Sequence, residues 1–168
     1  MLRQALPNLA YSVSTTTRQP RPGEQNGVDY FFISGDEFKQ KIDRGEFLEW
    51  ADVYGNRYGT THATVDSHLQ AGRDVLLEID IQGAQNIRRL FPGALLIFVE
   101  PPSLQELGAR IVNRGTECAQ DLKVRMECAQ SELTAAKKYD HVIINDKPDR
   151  ALAELLEIIT EARTRDRD

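Results

Sequence analysis

The chain predicts an α/β fold, a parallel sheet carrying a small inserted lobe, and three observations lead there. Runs at 74–80, 94–99 and 141–145 have continuous apolar centres, as strands of a parallel sheet covered on both faces require. Helical patterns alternate with them, which is the signature of an α/β sandwich. Between 15 and 72 that rhythm breaks into turn-rich and aromatic segments, the composition of a separate small lobe.

The elements follow in order. Residues 1–6 read as the tail of a helix left through Pro7-Asn8, and a strand is expected at 10–14. Gln19 to Gly27 is rich in turn residues, and Tyr30 to Ile33 is a short aromatic strand. Ser34 with Glu37 forms a capping box before a helix carrying Phe38 and Ile42, ended by Gly45. An irregular stretch is expected through Trp50, Tyr54 and Tyr58. Thr61 then caps a helix with Val65 and Leu69 on one face and Gly72 at its end. After the strand at 74–80, a helix over 83–90 carries Ala84, Ile87 and Leu90. Ser103 and Glu106 cap the next, and Leu122, Met126, Ala129 and Leu133 continue at helical spacing. Pro148 suits the first turn of a last helix faced with Leu152, Leu155, Leu156 and Ile159.

The composition excludes several classes. The 168 residues are 40% hydrophobic and 28% charged, with a net charge of -5 that argues against an extended nucleic-acid surface. The apolar run at 94–99 is too short to cross a bilayer, and the start lacks the pattern of a signal peptide. Cys118 and Cys128 lack metal-ligand spacing, so a reduced, cytoplasmic protein is expected.

One constellation carries chemistry. Ser14, Thr15, Thr16, Thr17, Arg18 and Arg21 gather hydroxyls and guanidiniums beside a strand end, a pattern that suits phosphate oxygens. Tyr30, Tyr58 and Thr60 can add neutral hydroxyls, although from the residues alone both tyrosines read rather as amphipathic core residues. Glu49, Glu78 and Asp80 are acceptor-only groups. A carboxylate can accept from the N1–H and exocyclic amine of guanine together, so Glu49 is either a base reader or a solvent-facing residue near a helix end. Asp80, at the carboxyl end of a strand, stands where open sheets place ligands and where a carboxylate can organise Mg²⁺ through its waters. Arg110, Arg114 and Arg125 either meet charge on a transferring phosphoryl group or form an ordinary solvated helix face.

These motifs in order, from Ser12-Val13-Ser14-Thr15-Thr16-Thr17-Arg18 with Pro20-Arg21-Pro22-Gly23-Glu24 and Gly27-Val28-Asp29-Tyr30-Phe31-Phe32, resemble the guanylate kinase family. The resemblance continues through Glu46-Phe47-Leu48-Glu49-Trp50, Gly55-Asn56-Arg57-Tyr58-Gly59-Thr60, Glu78-Ile79-Asp80-Ile81-Gln82-Gly83-Ala84 and Pro101-Pro102-Ser103. It runs on to Arg114-Gly115, Arg125-Met126 and Ile144-Asn145-Asp146. It implies an ATP:GMP phosphotransferase of purine metabolism with the P-loop kinase fold. GMP phosphate would be held by Ser14, Arg18, Arg21, Tyr30 and Tyr58, and guanine by Glu49, Thr60 and Glu78, the last commonly aspartate in the family. Arg110, Arg114, Arg125 and Asp80 would be catalytic, with Arg110, Arg114 and Asn145 on the ATP side. The implied cofactor is Mg²⁺ with ATP as co-substrate, with Asp80 reaching the metal through water.

The same resemblance sets the expected domains: a kinase core of 1–14 and 73–168 with a lid near 104–130, and a GMP-binding lobe of 15–72. The implied partners are GMP and ATP, without nucleic acid or membrane, for a monomer or homodimer. No GxxxxGK[ST] occurs in the chain. The expected core therefore lacks its first, central strand and P-loop, leaving a gap between 74–80 and 94–99 for another segment or a partner to cover, and Met1 reads as an internal start site or the start of a truncated gene model. Phosphate transfer by these residues alone is expected to be weak. The alternative function is a GMP-binding or protein-interaction module without catalysis.

Overall fold

The computed structural model describes residues 1–113, 126, 128 and 132–165. They divide into two compact units, one of Met1–Ala5 with Ala94 onward, the other of Leu6–Gly93. The expected lobe of 15–72 lies within the second unit.

The Leu6–Gly93 unit begins with β1 (Leu9–Tyr11), which pairs in parallel with β6 (Asp74–Leu76). A mixed four-stranded sheet adjoins them in sequence: β2 (Thr15–Thr16), β3 (Phe31–Phe32), β4 (Phe47–Val53) and β5 (Asn56–Thr61), in the order β3-β2-β5-β4. Three helices complete this unit: α2 (Gly35–Asp43), α3 (His62–Gln70) and α4 (Ile81–Leu90).

Local chemistry explains these elements. Ser34 Oγ accepts the Glu37 N–H at 3.1 Å, as its capping-box position predicts, and α2 carries its apolar Phe38 inward. Phe38 is fully buried, stacked on Phe47 at 4.4 Å between centroids and edge-on to Trp50 at 6.4 Å. Thr61 stands at the N-cap of α3, but its hydroxyl makes no capping bond. Instead Thr64 Oγ1 donates to the Thr61 carbonyl at 2.9 Å.

The stretch expected to be irregular around Trp50, Tyr54 and Tyr58 is a regular hairpin. Strands β4 and β5 pair antiparallel from Glu49↔Thr60 to Val53↔Asn56, with a two-residue turn at Tyr54-Gly55. Both turn residues lie at positive φ, 50° and 77°, as a type I′ turn requires to match the twist of the strands. A tyrosine at the first position hides that turn from a reading based on Asn-Gly and Asp-Gly pairs.

The unit of Met1–Ala5 with residues 94 onward contains α1 (Leu2–Ala5), β7 (Ile97–Glu100), α5 (Leu104–Asn113), β8 (His141–Ile144) and α6 (Pro148–Arg165). The expected helix tail at the start is α1, and it packs against α6. Strands β7 and β8 pair in parallel from Ile97↔His141 to Glu100↔Ile144. Ser103 Oγ accepts the Glu106 N–H at 3.1 Å and so caps α5. Pro148 opens α6 as expected. Full coverage of both strand faces is not found here. Ile143 is fully buried, while Val142 and Ile144 point outward and are 42% exposed, because the pair alternates and α6 packs on β8.

The expected strands are shorter than their apolar runs. Only Asp74–Leu76 of 74–80 is strand, and the strand within 94–99 begins at Ile97. The helix expected over 83–90 begins earlier, at Ile81, because Asp80 caps it. Parallel pairs alternating with helices nonetheless make the protein α/β.

Candidate functional site

A pocket within the Leu6–Gly93 unit is lined by Ser14, Tyr30, Glu49, Val53, Tyr58, Gly59, Glu78, Ile79 and Asp80. Local folding brings them there from four segments: the chain entering β2, the residue before β3, the β4–β5 hairpin, and the stretch between β6 and α4. Six of the residues singled out from sequence meet in this one place.

One wall is hydroxylic. Ser14 is buried, and its carbonyl accepts the Phe31 N–H at 2.9 Å, tying the chain before β2 to β3. Tyr30 and Tyr58 meet edge to face with centroids 5.9 Å apart. Burial pushes the Tyr30 phenol above its ordinary value, with Tyr58 adding to the effect. The tyrosines thus combine both readings, packing against each other while lining a pocket.

The other wall is carboxylic. Glu49 is not the solvent-facing residue near a helix end that one reading expected. It sits in the middle of β4, 5% exposed, because the register of the hairpin turns that side of β4 inward. Its Oε1 accepts the Thr60 N–H at 3.0 Å. Its Oε2 lies against the first turn of α4, where a Cβ on Gly83 would come within 2.5 Å of it. Only glycine permits that approach. Burial raises the Glu49 carboxyl above its usual range; hydrogen bonding from Thr60 opposes this, and the charge of Asp80 reinforces it. Thr60 Oγ1 is fully buried and makes no well-aligned hydrogen bond within the protein. Glu78 accepts from the Tyr11 hydroxyl at 3.3 Å.

Asp80 is the N-cap of α4: Oδ1 accepts the Gly83 N–H at 2.9 Å, while Oδ2 has Gln82 Nε2 at 3.4 Å. One oxygen is thereby committed to the helix. Among the described residues no group of three His, Cys, Asp or Glu side chains stands together as a metal cage. Asp80 alone, with one oxygen engaged, fits contact to a nucleotide-borne Mg²⁺ through water better than direct ligation.

Arg18 does not reach for solvent. Nη1 and Nη2 donate to the two carboxylate oxygens of Glu24 at 3.0 and 2.9 Å, and Nη1 also donates to the Gln19 carbonyl at 2.7 Å. The rings of Tyr30 and Phe32 lie 5.4 and 5.7 Å from its guanidinium carbon. Glu24 holds the Arg18 guanidinium above its ordinary pKa, and Arg18 holds the Glu24 carboxyl below its own. Arg21 follows in the same turn, its backbone N–H donating to Glu24 Oε2 at 2.7 Å.

In the other unit, Arg110 and Asn145 come together. Arg110 Nη1 donates to the Asn145 carbonyl at 3.0 Å while Nε donates to Glu106 at 3.1 Å, so this arginine is anchored rather than simply solvated. Arg114, Gly115, Cys118, Leu122, Arg125 and Ala129 lie outside the described residues, as does most of the expected lid near 104–130.

Sequence reasoning missed three contributors. Glu24 was visible only as a turn residue, although an acid following two arginines across Pro-Gly is the available signal. Gly83 carried no local sign, because the carboxylate it admits comes from a distant strand. Tyr11, which contacts Glu78, read as part of a strand.

Comparison with known proteins now adds to this geometry. The family model described as guanylate kinase matches residues 1–162. The chain is 46% identical over 164 residues to a guanylate kinase of Corynebacterium diphtheriae, covering 96% of this chain and 86% of that protein. It is 48% identical over 159 residues to one of Dechloromonas aromatica, covering 95% and 79%. It is 43% identical over 160 residues to one of Thermotoga maritima, covering 95% and 77%. The crystal structure of guanylate kinase from Anaplasma phagocytophilum superposes with a TM-score of 0.81 at 32% identity, covering 95% of this chain and 78% of that one. An α/β core, a pocket combining hydroxyls with carboxylates, and a match spanning nearly all of the sequence agree: the chain belongs to the guanylate kinase family.

Proposed function

We propose that the pocket binds GMP and that the protein, with ATP, converts GMP to GDP. The observation that carries this reading is the gathering in one pocket of the hydroxyl groups of Ser14, Tyr30 and Tyr58 with the carboxylates of Glu49, Glu78 and Asp80. A nucleoside monophosphate whose base offers paired N–H donors matches that combination. Guanine does so through N1–H and its exocyclic amine; adenine lacks this pair.

Ser14, Arg18, Arg21, Tyr30 and Tyr58 take the phosphate. Glu49, with Oε1 already on the Thr60 N–H, has Oε2 for guanine, and Glu78 supplies a second acceptor. Thr60 Oγ1, buried without an aligned partner, donates to the base oxygen.

The reaction is ATP + GMP to ADP + GDP. An oxygen of the GMP phosphate forms a bond to the γ-phosphorus as the bond to the ADP oxygen breaks. The residues contribute position and charge, with no covalent intermediate. Arg110, Arg114 and Arg125 meet the charge of the transferring group, and Asn145 stands on the adenine side. Asp80 would hold Mg²⁺ brought by ATP through a water, and the ion would neutralise phosphate charge. Residues 1–14 and 73–168 form the kinase core, 104–130 the lid, and 15–72 the GMP lobe. GMP and ATP are the partners of a cytoplasmic protein acting as monomer or homodimer, without nucleic acid or membrane.

A second reading is GMP binding without transfer. Calorimetric titration with GMP and with AMP tests the pocket: saturable GMP binding with little for AMP is expected, and equal binding of both defeats the assignment. Coupled measurement of ADP release then separates transfer from binding alone.

A further inference from the structure

We propose that Glu24 is a positioning residue of the phosphate site, clamping the end of the Arg18 guanidinium so that its Nε edge faces the phosphate. This rests on the GMP reading above. The clamp begins in the sequence: Arg21-Pro22-Gly23-Glu24 forms a tight turn, with the Glu24 N–H donating to the Arg21 carbonyl at 3.1 Å. Proline presets φ at the second position, and Gly23 accepts φ of 89° at the third, the geometry of a type II turn. The turn folds the Glu24 carboxylate back over the segment it has just left.

That carboxylate then makes three hydrogen bonds. Two go to the terminal nitrogens of Arg18, at 2.9 and 3.0 Å, and one to the Arg21 N–H, at 2.7 Å. A guanidinium has two forks, one at its end and one along the Nε side, and a carboxylate or phosphate fits either. Glu24 takes the end fork. Arg18 Nε is buried and has no hydrogen-bond partner. The rings of Tyr30 and Phe32 flank the guanidinium and restrict its rotation. An arginine held at its end by Glu24, packed on aromatic rings, near the Tyr58 hydroxyl and with Nε unbonded is prepared for a second anion. Tyr30, one of those rings, also lines the pocket.

The geometry distinguishes a clamp from a competitor. As a clamp, Glu24 strengthens phosphate binding by fixing Arg18; as a competitor for the guanidinium, it weakens it. Removing the carboxylate therefore has opposite effects under the two arrangements.

The test is calorimetric titration of the full chain with GMP and with guanosine, for the unaltered protein and for Glu24→Gln, Glu24→Ala and Arg18→Lys. Thermal unfolding confirms that each variant is folded, and the isosteric Glu24→Gln carries the test if Glu24→Ala does not fold. A clamp predicts that the GMP dissociation constant rises about tenfold or more in Glu24→Gln, the scale of one charged hydrogen bond, while guanosine binding stays unchanged. It also predicts that adding Glu24→Gln to Arg18→Lys costs little more than Arg18→Lys alone. Tighter or unchanged GMP binding in folded Glu24→Gln overturns the inference and leaves the GMP assignment standing. Equal losses for GMP and guanosine also overturn it, because they mark a general structural role. If the unaltered chain binds no GMP, the assignment itself fails and the inference falls with it.

Discussion

A single buried carboxylate shows how much a residue's surroundings decide. Glu49 is one acid among 26 acidic residues, and only its seat in β4 buries it and places it in the lining of the pocket. Because burial raises its pKa above the ordinary 4.5, the native protein retains this proton better than the unfolded chain does. The stability this contributes is fully present below about 4.5 and is lost as pH rises through the higher folded value. Glu49→Gln removes that loss. Thermal melts of the two proteins should therefore shift in favour of the variant as pH rises above about 4.5, while GMP binding weakens. A constant difference across that range contradicts the assignment of an ionising Glu49. Gly83→Ala tests the same seat from the other side. Its Cβ would lie 2.5 Å from Glu49 Oε2 and 3.2 Å from Asp80 Oδ1, so both carboxylates must move. A stability loss of about 1–3 kcal/mol in urea is expected, together with a higher KM for GMP.

At the scale of elements, the β4–β5 hairpin sets the pocket's walls. It turns through Tyr54 at φ 50°, a left-handed conformation that a tyrosine adopts at a cost. Asparagine tolerates that region, and Tyr54 is 41% exposed. Tyr54→Asn should stabilise the protein by about 0.5–1 kcal/mol, read from the urea midpoint at constant m-value. A destabilised variant would show that the contacts of the tyrosine ring outweigh the strain. Helix caps tell the complementary story. Ser34 and Ser103 announce their helices locally, and both accept the predicted N–H at 3.1 Å. Asp80 does the same for α4, although its place at a strand end first suggested only a ligand role.

For the whole molecule, a ligand that binds only the folded state adds stability by mass action. If the pocket takes GMP, a concentration of about 100 times the dissociation constant should add about 2.7 kcal/mol to unfolding, measured by urea denaturation. AMP at the same concentration should add far less. Equal stabilisation by both nucleotides would place recognition in the phosphate contacts alone.

Sequence determined the α/β class, the helix caps, the Pro-Gly turn and the family, because each depends on near neighbours or on motifs in order. Ser14, Tyr30, Tyr58 and Glu78, singled out from those motifs, all line the one pocket. Tertiary structure alone decided that Gly83 makes room for Glu49, that Glu24 holds Arg18, and that Tyr54 turns a regular hairpin. It also decided that Val142 and Ile144 face outward from a strand whose apolar run had implied two covered faces. The physical reason is common to these cases. A residue's polarity and local propensity are carried by the chain, whereas its burial, its partner and the space left around it depend on which distant segment packs there.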